Sequence, residues 1–217
     1  MANRFDGERV RSLSRDEVLA ECRRRLVQGA WRPGDVVQEK ILAEELGVSK
    51  TPVREALQYL TFVGMVKPYS RIGYVISPIE LQDIIEVFQF RTLIEDDLIQ
   101  TVAALPDMTV PAGQSEEMPA ITAEIEFHRT LYARVAKPRM ASSLEVLLDQ
   151  TARALNYTQL DDELMRSIAH EHEAIILAVR HHDAPLARAH MTVHLRHLRD
   201  SLLSKLRQQL RETKNIL

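Results

Sequence analysis

Along most of the chain the apolar residues recur at helical spacing, and the first of these stripes follows a charged opening. Residues 1–12 read as a poorly ordered terminus. Ser14 and Glu17 then have the spacing of a capping box, and Val18, Leu19, Cys22, Leu26 and Val27 line one face of the helix it opens. Gly29 ends that helix, and Trp31 to Gly34 make a turn. Glu39 to Leu46 reads as a short amphipathic helix, and Gly47-Val48-Ser49 has the length of the turn in a helix-turn-helix. The next helix can be capped by Ser49 or Thr51, with Pro52 in its first turn. Its apolar side is Val53, Ala56, Leu57 and Leu60, while Lys50, Thr51 and Arg54 fall opposite. The pattern then changes to strand-like over Met65 to Tyr69 and Tyr74 to Ser77, joined by Ser70, Arg71, Ile72 and Gly73, which predicts a hairpin with a basic tip.

Beyond Ser77-Pro78 the helical period returns and runs from about Ile79 to Ala104 without Gly or Pro. Pro106, Pro111, Gly113 and Pro119 interrupt it, and further helices follow at about 120–136, 139–157, 161–181 and 184–213. The predicted fold is mainly α: a winged helix-turn-helix over residues 1–78 followed by an all-helical antiparallel bundle over 79–217. No apolar run has the length of a bilayer span and the first residues lack a signal-peptide core, so a cytoplasmic protein is expected, without a membrane partner. Cys22 is the only cysteine, which rules out an intramolecular disulfide, and its place in a helical stripe suggests packing.

A formal charge of −3 looks unpromising for nucleic acid until it is divided. Residues 1–78 hold 13 Lys+Arg against 10 Asp+Glu, and the remainder holds 15 against 21, so the winged part is the basic one. A winged helix sets its second helix in a major groove and its wing on the neighbouring backbone. Arg and Lys there can grip phosphate or read guanine, and hydroxyls can position the backbone.

All eight histidines lie after residue 127. Glu124 and His128 stand one helical turn apart, and His172 and His194 occupy two other predicted helices. A bundle that brings these together makes an open site of three imidazoles and a carboxylate, suited to a zinc-like divalent ion. His190 and His194 form a competing pair at the same spacing, and spacing alone does not choose between them. His170 faces away from His172, and His181 and His182 suit a helix C-terminus.

Pro33-Gly34, Leu42 to Ser49, Thr51 to Leu57 and Gly73-Tyr74-Val75 resemble the GntR family of bacterial transcription regulators, over roughly residues 10–78. That resemblance implies DNA contacts by Lys40, Ser49, Lys50, Thr51 and Arg54, with Arg71 and Gly73 at the wing. Glu124 to His128, Glu171-His172, and Asp183 through His190 and His194 to Leu195 resemble the FCD ligand-binding domain of the FadR subfamily. It implies a metal held by Glu124, His128, His172 and His194, with zinc first and nickel or manganese as alternatives. Two departures stand out: Glu124 occupies a position where the family usually has Asp or Asn, and the stretch 106–119 replaces a full helix. Arg91, in the pattern Arg-x3-Glu with Glu95, resembles a family signature and is a candidate clamp for an effector's acid group. Pairing with Glu95 on its own helix is the competing role. His190 is a second effector candidate.

The expected function is therefore a ligand-responsive repressor that binds double-stranded operator DNA as a homodimer and senses a small carboxylate. Its rivals are a metal-dependent enzyme built on three His and a regulator whose metal is purely structural. The metalloprotease pattern started at His170 fails, since Ala174 stands where its second His is needed.

Overall fold

The computed structural model describes residues 13–106 and 118–214. The charged opening at 1–12 and most of the Pro-broken interval, residues 107–117, lie outside the described residues. Two compact units result, one comprising residues up to Leu26 with Trp31–Pro78, the other Val27–Ala30 with the chain from Ile79 on.

The first unit is a winged helix-turn-helix. α1 (Arg15–Val27) starts at the capping box, in which the Ser14 amide donates to Glu17 at 2.7 Å and the Glu17 amide to Ser14 Oγ at 3.3 Å. α2 (Glu39–Leu46) ends on Gly47, whose φ of 64° turns the chain at once into α3 (Lys50–Phe62). A left-handed residue lets its amide cap the carbonyls of Ala43 and Glu44, and glycine adopts that conformation without steric cost. The wing is β2 (Val66–Tyr69) and β3 (Gly73–Ile76).

A third strand, β1 (Val36–Val37), pairs antiparallel to β3, giving the sheet order β1-β3-β2 with Val36 opposite Val75 and Val37 opposite Tyr74. Two residues are too few to show a period of two, so pattern alone does not reveal this strand. The core beneath joins Val18, Cys22 and Leu26 of α1 to Val53, Leu57 and Leu60 of α3 and to Met65, Val66 and Ile76. Each such side chain, fully buried, adds about 1.5–3 kcal/mol of favourable transfer.

The described residues of the second unit form a bundle of five helices: α4 (Leu81–Ala103), α5 (Ala120–Tyr132), α6 (Pro138–Thr158), α7 (Asp162–Arg180) and α8 (Ala184–Lys214). α4 begins two residues later than the pattern suggests, because Glu80 and Asp83 close a capping box around the Glu80 amide. α5 stops at Tyr132, short of the expected 136; Lys137 is extended, as the residue before Pro138 must be to avoid the ring. Leu98, Ile99, Leu131, Leu148, Leu155, Ile175, Met191, Leu195 and Leu198 are among the residues that fill the interior. Among the described residues no helix is long and apolar enough to cross a membrane.

Candidate functional site

On the winged unit, the residues expected to meet DNA share one exposed face. Lys40, Ser49, Lys50, Thr51, Arg54 and Arg71 are all exposed, while Val53, Ala56, Leu57 and Leu60 hold the other side of α3 in the core. A cleft of about 480 Å³ between α2, the start of α3 and the wing is lined by Lys40, Lys50, Arg71 and Gly73, together with Glu39 and Tyr74. Ser49 occupies the cap position of α3 with an extended backbone, yet its hydroxyl makes no capping bond and stays available.

Two residues of this face escape a reading by charge alone. Glu39 takes both Arg54 nitrogens, Nε at 3.1 Å and Nη2 at 2.9 Å, and accepts the Tyr74 hydroxyl at 3.4 Å. The Arg54 guanidinium holds the Glu39 carboxyl below its ordinary value, so the pair stays ionised. Arg54 is thereby set in a direction before any partner arrives. Gly73 has a backbone reason for its identity: its φ is 122°, and a Cβ there would lie 2.6 Å from the Val37 carbonyl oxygen. Close packing of β3 on β1 requires the missing side chain.

In the bundle, four side chains converge. α5 supplies Glu124 and His128 one turn apart, α7 supplies His172 and α8 His194, and all four are buried. Each offers a ligand atom, and these atoms lie within 4.8 Å of one another. His128 Nε2 is 3.0 Å from His194 Nε2 and 3.1 Å from Glu124 Oε1. His194 Nε2 is 3.5 Å from the same oxygen, and His172 Nε2 is 2.9 Å from Glu124 Oε2. The extra methylene of Glu124 thus brings its carboxylate among all three rings.

The far sides of two rings face carboxylates: His128 Nδ1 lies 2.6 Å from Glu95 Oε2, and His194 Nδ1 lies 3.0 Å from Glu171 Oε2. Carboxylates only accept, so both Nδ1 atoms carry a proton and both rings turn Nε2 inward. Two ring nitrogens and a carboxylate oxygen then converge on one point, where a proton shared between the rings or a bound cation satisfies them. A tetrahedral ion held roughly 2.0–2.1 Å from its donors sets neighbouring donors roughly 3.3 Å apart, close to these separations.

The electrostatics agree. Burial opposes charge on Glu124, but the three imidazoles outweigh it and hold the carboxyl well below its usual range. Burial also opposes charge on His194, yet Glu124 and Glu171 carry its pKa up to about 9, so without an ion this ring holds a second proton, which a metal at Nε2 would displace. Burial brings His172 down to about 4, leaving it a neutral donor. Its ring stacks on Phe127 with centroids 3.7 Å apart.

Arg91 is buried on α4, with Nε 2.6 Å from Glu95 Oε1 and Nη1 4.0 Å from Glu124 Oε1; its Nη2 has no hydrogen-bond partner among the described residues. Glu95, the expected helix partner, is joined by Thr151, whose Oγ1 accepts from Arg91 Nη1 at 3.4 Å. His190 is half-buried on α8, one turn before His194, and outside the four-residue cluster. His170 is exposed beside Glu173, and the His182 ring sits 3.0 Å from the Ala103 carbonyl at the end of α4. Glu171 is the site residue that spacing misses, because a neighbour of His172 in sequence faces His194 only once α7 and α8 are packed.

Comparison with known proteins accounts for both units. The model of the bacterial regulatory proteins of the gntR family matches residues 14–76, and that of the FCD domain matches residues 91–197. The HTH-type transcriptional regulator YdhC of Bacillus subtilis (strain 168) is 26% identical over 193 residues, covering 82% of this chain and 85% of its own. The Nta operon transcriptional regulator of Aminobacter aminovorans is 25% identical over 181 residues, covering 76% of this chain and 84% of its own. The gluconate operon transcriptional repressor of Bacillus subtilis (strain 168) is 35% identical over 78 residues, 36% of this chain and 32% of that one. Among solved structures, a GntR transcriptional regulator from Rhodococcus sp. RHA1 superposes with a TM-score of 0.72 at 20% identity, covering 88% of this chain and 97% of that one. E. coli McbR/YncC superposes with a TM-score of 0.70 at 19% identity, covering 89% and 99%. These two likenesses concern the fold.

The relatives matched in sequence are transcription regulators and not enzymes, which sets aside the metal-dependent enzyme suggested by three histidines. With an exposed basic recognition helix and wing in its first unit and a helical FCD domain in its second, the chain belongs to the GntR family of DNA-binding transcription regulators.

Proposed function

We propose that this regulator is a repressor, that it binds operator DNA as a homodimer, and that it senses a small organic acid at a metal in its helical domain. Lys40, Ser49, Lys50, Thr51, Arg54, Arg71 and Gly73 form the DNA contacts in this reading. Each winged helix spans one half-site, so a two-fold dimer is the assembly that reads a two-fold operator.

The observation that carries the sensing half is the convergence of His128 Nε2, His194 Nε2 and Glu124 Oε1 within 3.5 Å of one another. Glu124, His128, His172 and His194 would hold the ion, zinc being the best fit to nitrogen donors with one carboxylate. When bound, the metal supplies positive charge and coordination positions for a carboxylate. Arg91, whose Nη2 lacks a partner among the described residues, offers a donor beside the same cluster, and His190 flanks it one turn along α8. The acid changes DNA affinity only by its differential affinity for two arrangements of the dimer.

Complete burial of all four donors favours a second reading, in which the ion is structural. A thermal-shift panel of small carboxylic acids on zinc-loaded and chelator-treated protein separates the two. A sensor shows an acid that raises the melting point only when zinc is present; at a hundredfold excess over Kd the gain is about 2.7 kcal/mol. Zinc stabilisation with no responding acid leaves the structural ion, and no response to zinc removes the site.

A further inference from the structure

Outside the four proposed ligands, Glu95 and Glu171 occupy equivalent places behind two of the rings. Glu95 reaches His128 Nδ1 at 2.6 Å and Glu171 reaches His194 Nδ1 at 3.0 Å, so each imidazole is held at the nitrogen that faces away from the cluster. A ring turned over about its Cβ–Cγ bond would lose that bond and withdraw Nε2 from the centre. The His172 ring stacks on Phe127 at an interplanar angle of 11°.

The second oxygen of each carboxylate is also engaged. Glu95 Oε1 takes Arg91 Nε at 2.6 Å, and Glu171 Oε1 takes His197 Nδ1 at 2.5 Å. Neither carboxylate can swing away without breaking two bonds. Hydrogen bonding from a ligand imidazole to a carboxylate fixes its tautomer and increases the basicity of the coordinating nitrogen.

We propose that Glu95 and Glu171 are positioning residues of the metal centre, each presenting the Nε2 lone pair of one histidine to the ion. This rests on the metal reading above. Glu171 is the better place to test it, because it is about half-buried and lies at the bundle surface beside the partly exposed His197, whereas Glu95 also neutralises the buried Arg91.

The experiment is a zinc competition titration of the full chain against a chromophoric chelator, paired with the visible spectrum of the cobalt(II) form. Glu171→Met keeps the volume and removes the acceptor; zinc affinity should fall about 10–100-fold at unchanged stoichiometry, with an altered cobalt spectrum. Glu171→Ala, where entering water supplies a weaker acceptor, should show a smaller loss in the same direction. Glu171→Gln restores an acceptor oxygen for the His194 Nδ1 proton and should recover most of the affinity and the spectrum, which a role in packing alone would not produce. Wild type that binds zinc while Glu171→Met and Glu171→Ala bind it equally well overturns this proposal and leaves the metal reading standing. Wild type that binds no zinc overturns both.

Discussion

Replacing Gly73 by alanine puts a methyl group where the winged unit has no room for one. The added Cβ falls 2.6 Å from the Val37 carbonyl oxygen, and its other neighbours are also backbone, the Val37 carbonyl carbon at 3.4 Å and Gln38 Cα at 3.5 Å. No flexible side chain can move aside. The φ of 122° adds strain of about 1–3 kcal/mol for a residue with a side chain. Relief requires β1 to leave β3, and each hydrogen bond lost costs about 1 kcal/mol. The sum is about 2–4 kcal/mol, a large part of the stability of a small unit. Trp31 is the only tryptophan and packs against this core, so its fluorescence in urea follows the winged unit. With a slope of about 1 kcal/mol per M for so small a unit, the midpoint should drop by about 2 M or more. Gly64→Ala supplies the comparison: φ is 78° but nothing lies within 4 Å of the new Cβ, so it carries strain without collision and should shift less. Superimposable curves for Gly73→Ala and wild type would refute the account of β1 as the strand against which the wing is built.

Arg54→Ala should weaken operator binding about tenfold or more in a gel-shift titration, because one well-placed guanidinium contact to a base discriminates by about 1–3 kcal/mol. Glu95→Ala leaves Arg91 charged and buried without its 2.6 Å partner, and should cost about 3–5 kcal/mol in denaturant unfolding of the metal-free chain. Burial pushes the Cys22 thiol up to about 12, so a thiol reagent at pH 8 should label the native chain negligibly and the unfolded chain fully, as read by mass spectrometry. Glu21, paired with Arg24 and Arg25, is held down to about 2 from 4.5. A lowered carboxylate stabilises the fold above its unfolded value and loses that stabilisation as pH falls through the folded one, so Glu21→Gln should flatten the acid limb between pH 4.5 and 2 in a Trp31 melting series.

Much of the architecture was legible before any coordinates. Helical periodicity marked α1, α2, α3 and the five bundle helices, because burial of one face is a local constraint that repeats every turn. Caps fixed the starts where a side chain can satisfy an amide on its own segment, as Ser14 and Glu17 do. Less legible were the features whose partners are distant. β1 is two residues long and exists only because β3 passes beside it. The helices at 120–136 and 79–104 came out shorter at the ends where the chain must leave the axis to meet Pro138 or to use the Glu80 cap.

The candidate site divides along the same line. Local spacing, helped by family resemblance, put Glu124 and His128 on one face of α5 and suggested His172 and His194 as their companions. Packing alone decided that these four ligand atoms fall within 4.8 Å while His190 stays outside, since which faces of α5, α7 and α8 meet is set by the whole core. Packing alone also set Glu171 behind His194 and Glu95 behind His128, whereas the Arg91–Glu95 pair is local to α4. Side chains near each other in the chain obey the geometry of a single helix, which can be counted along the sequence. Side chains brought from different helices obey the rotation and depth at which those helices lock together, and only the assembled bundle determines that.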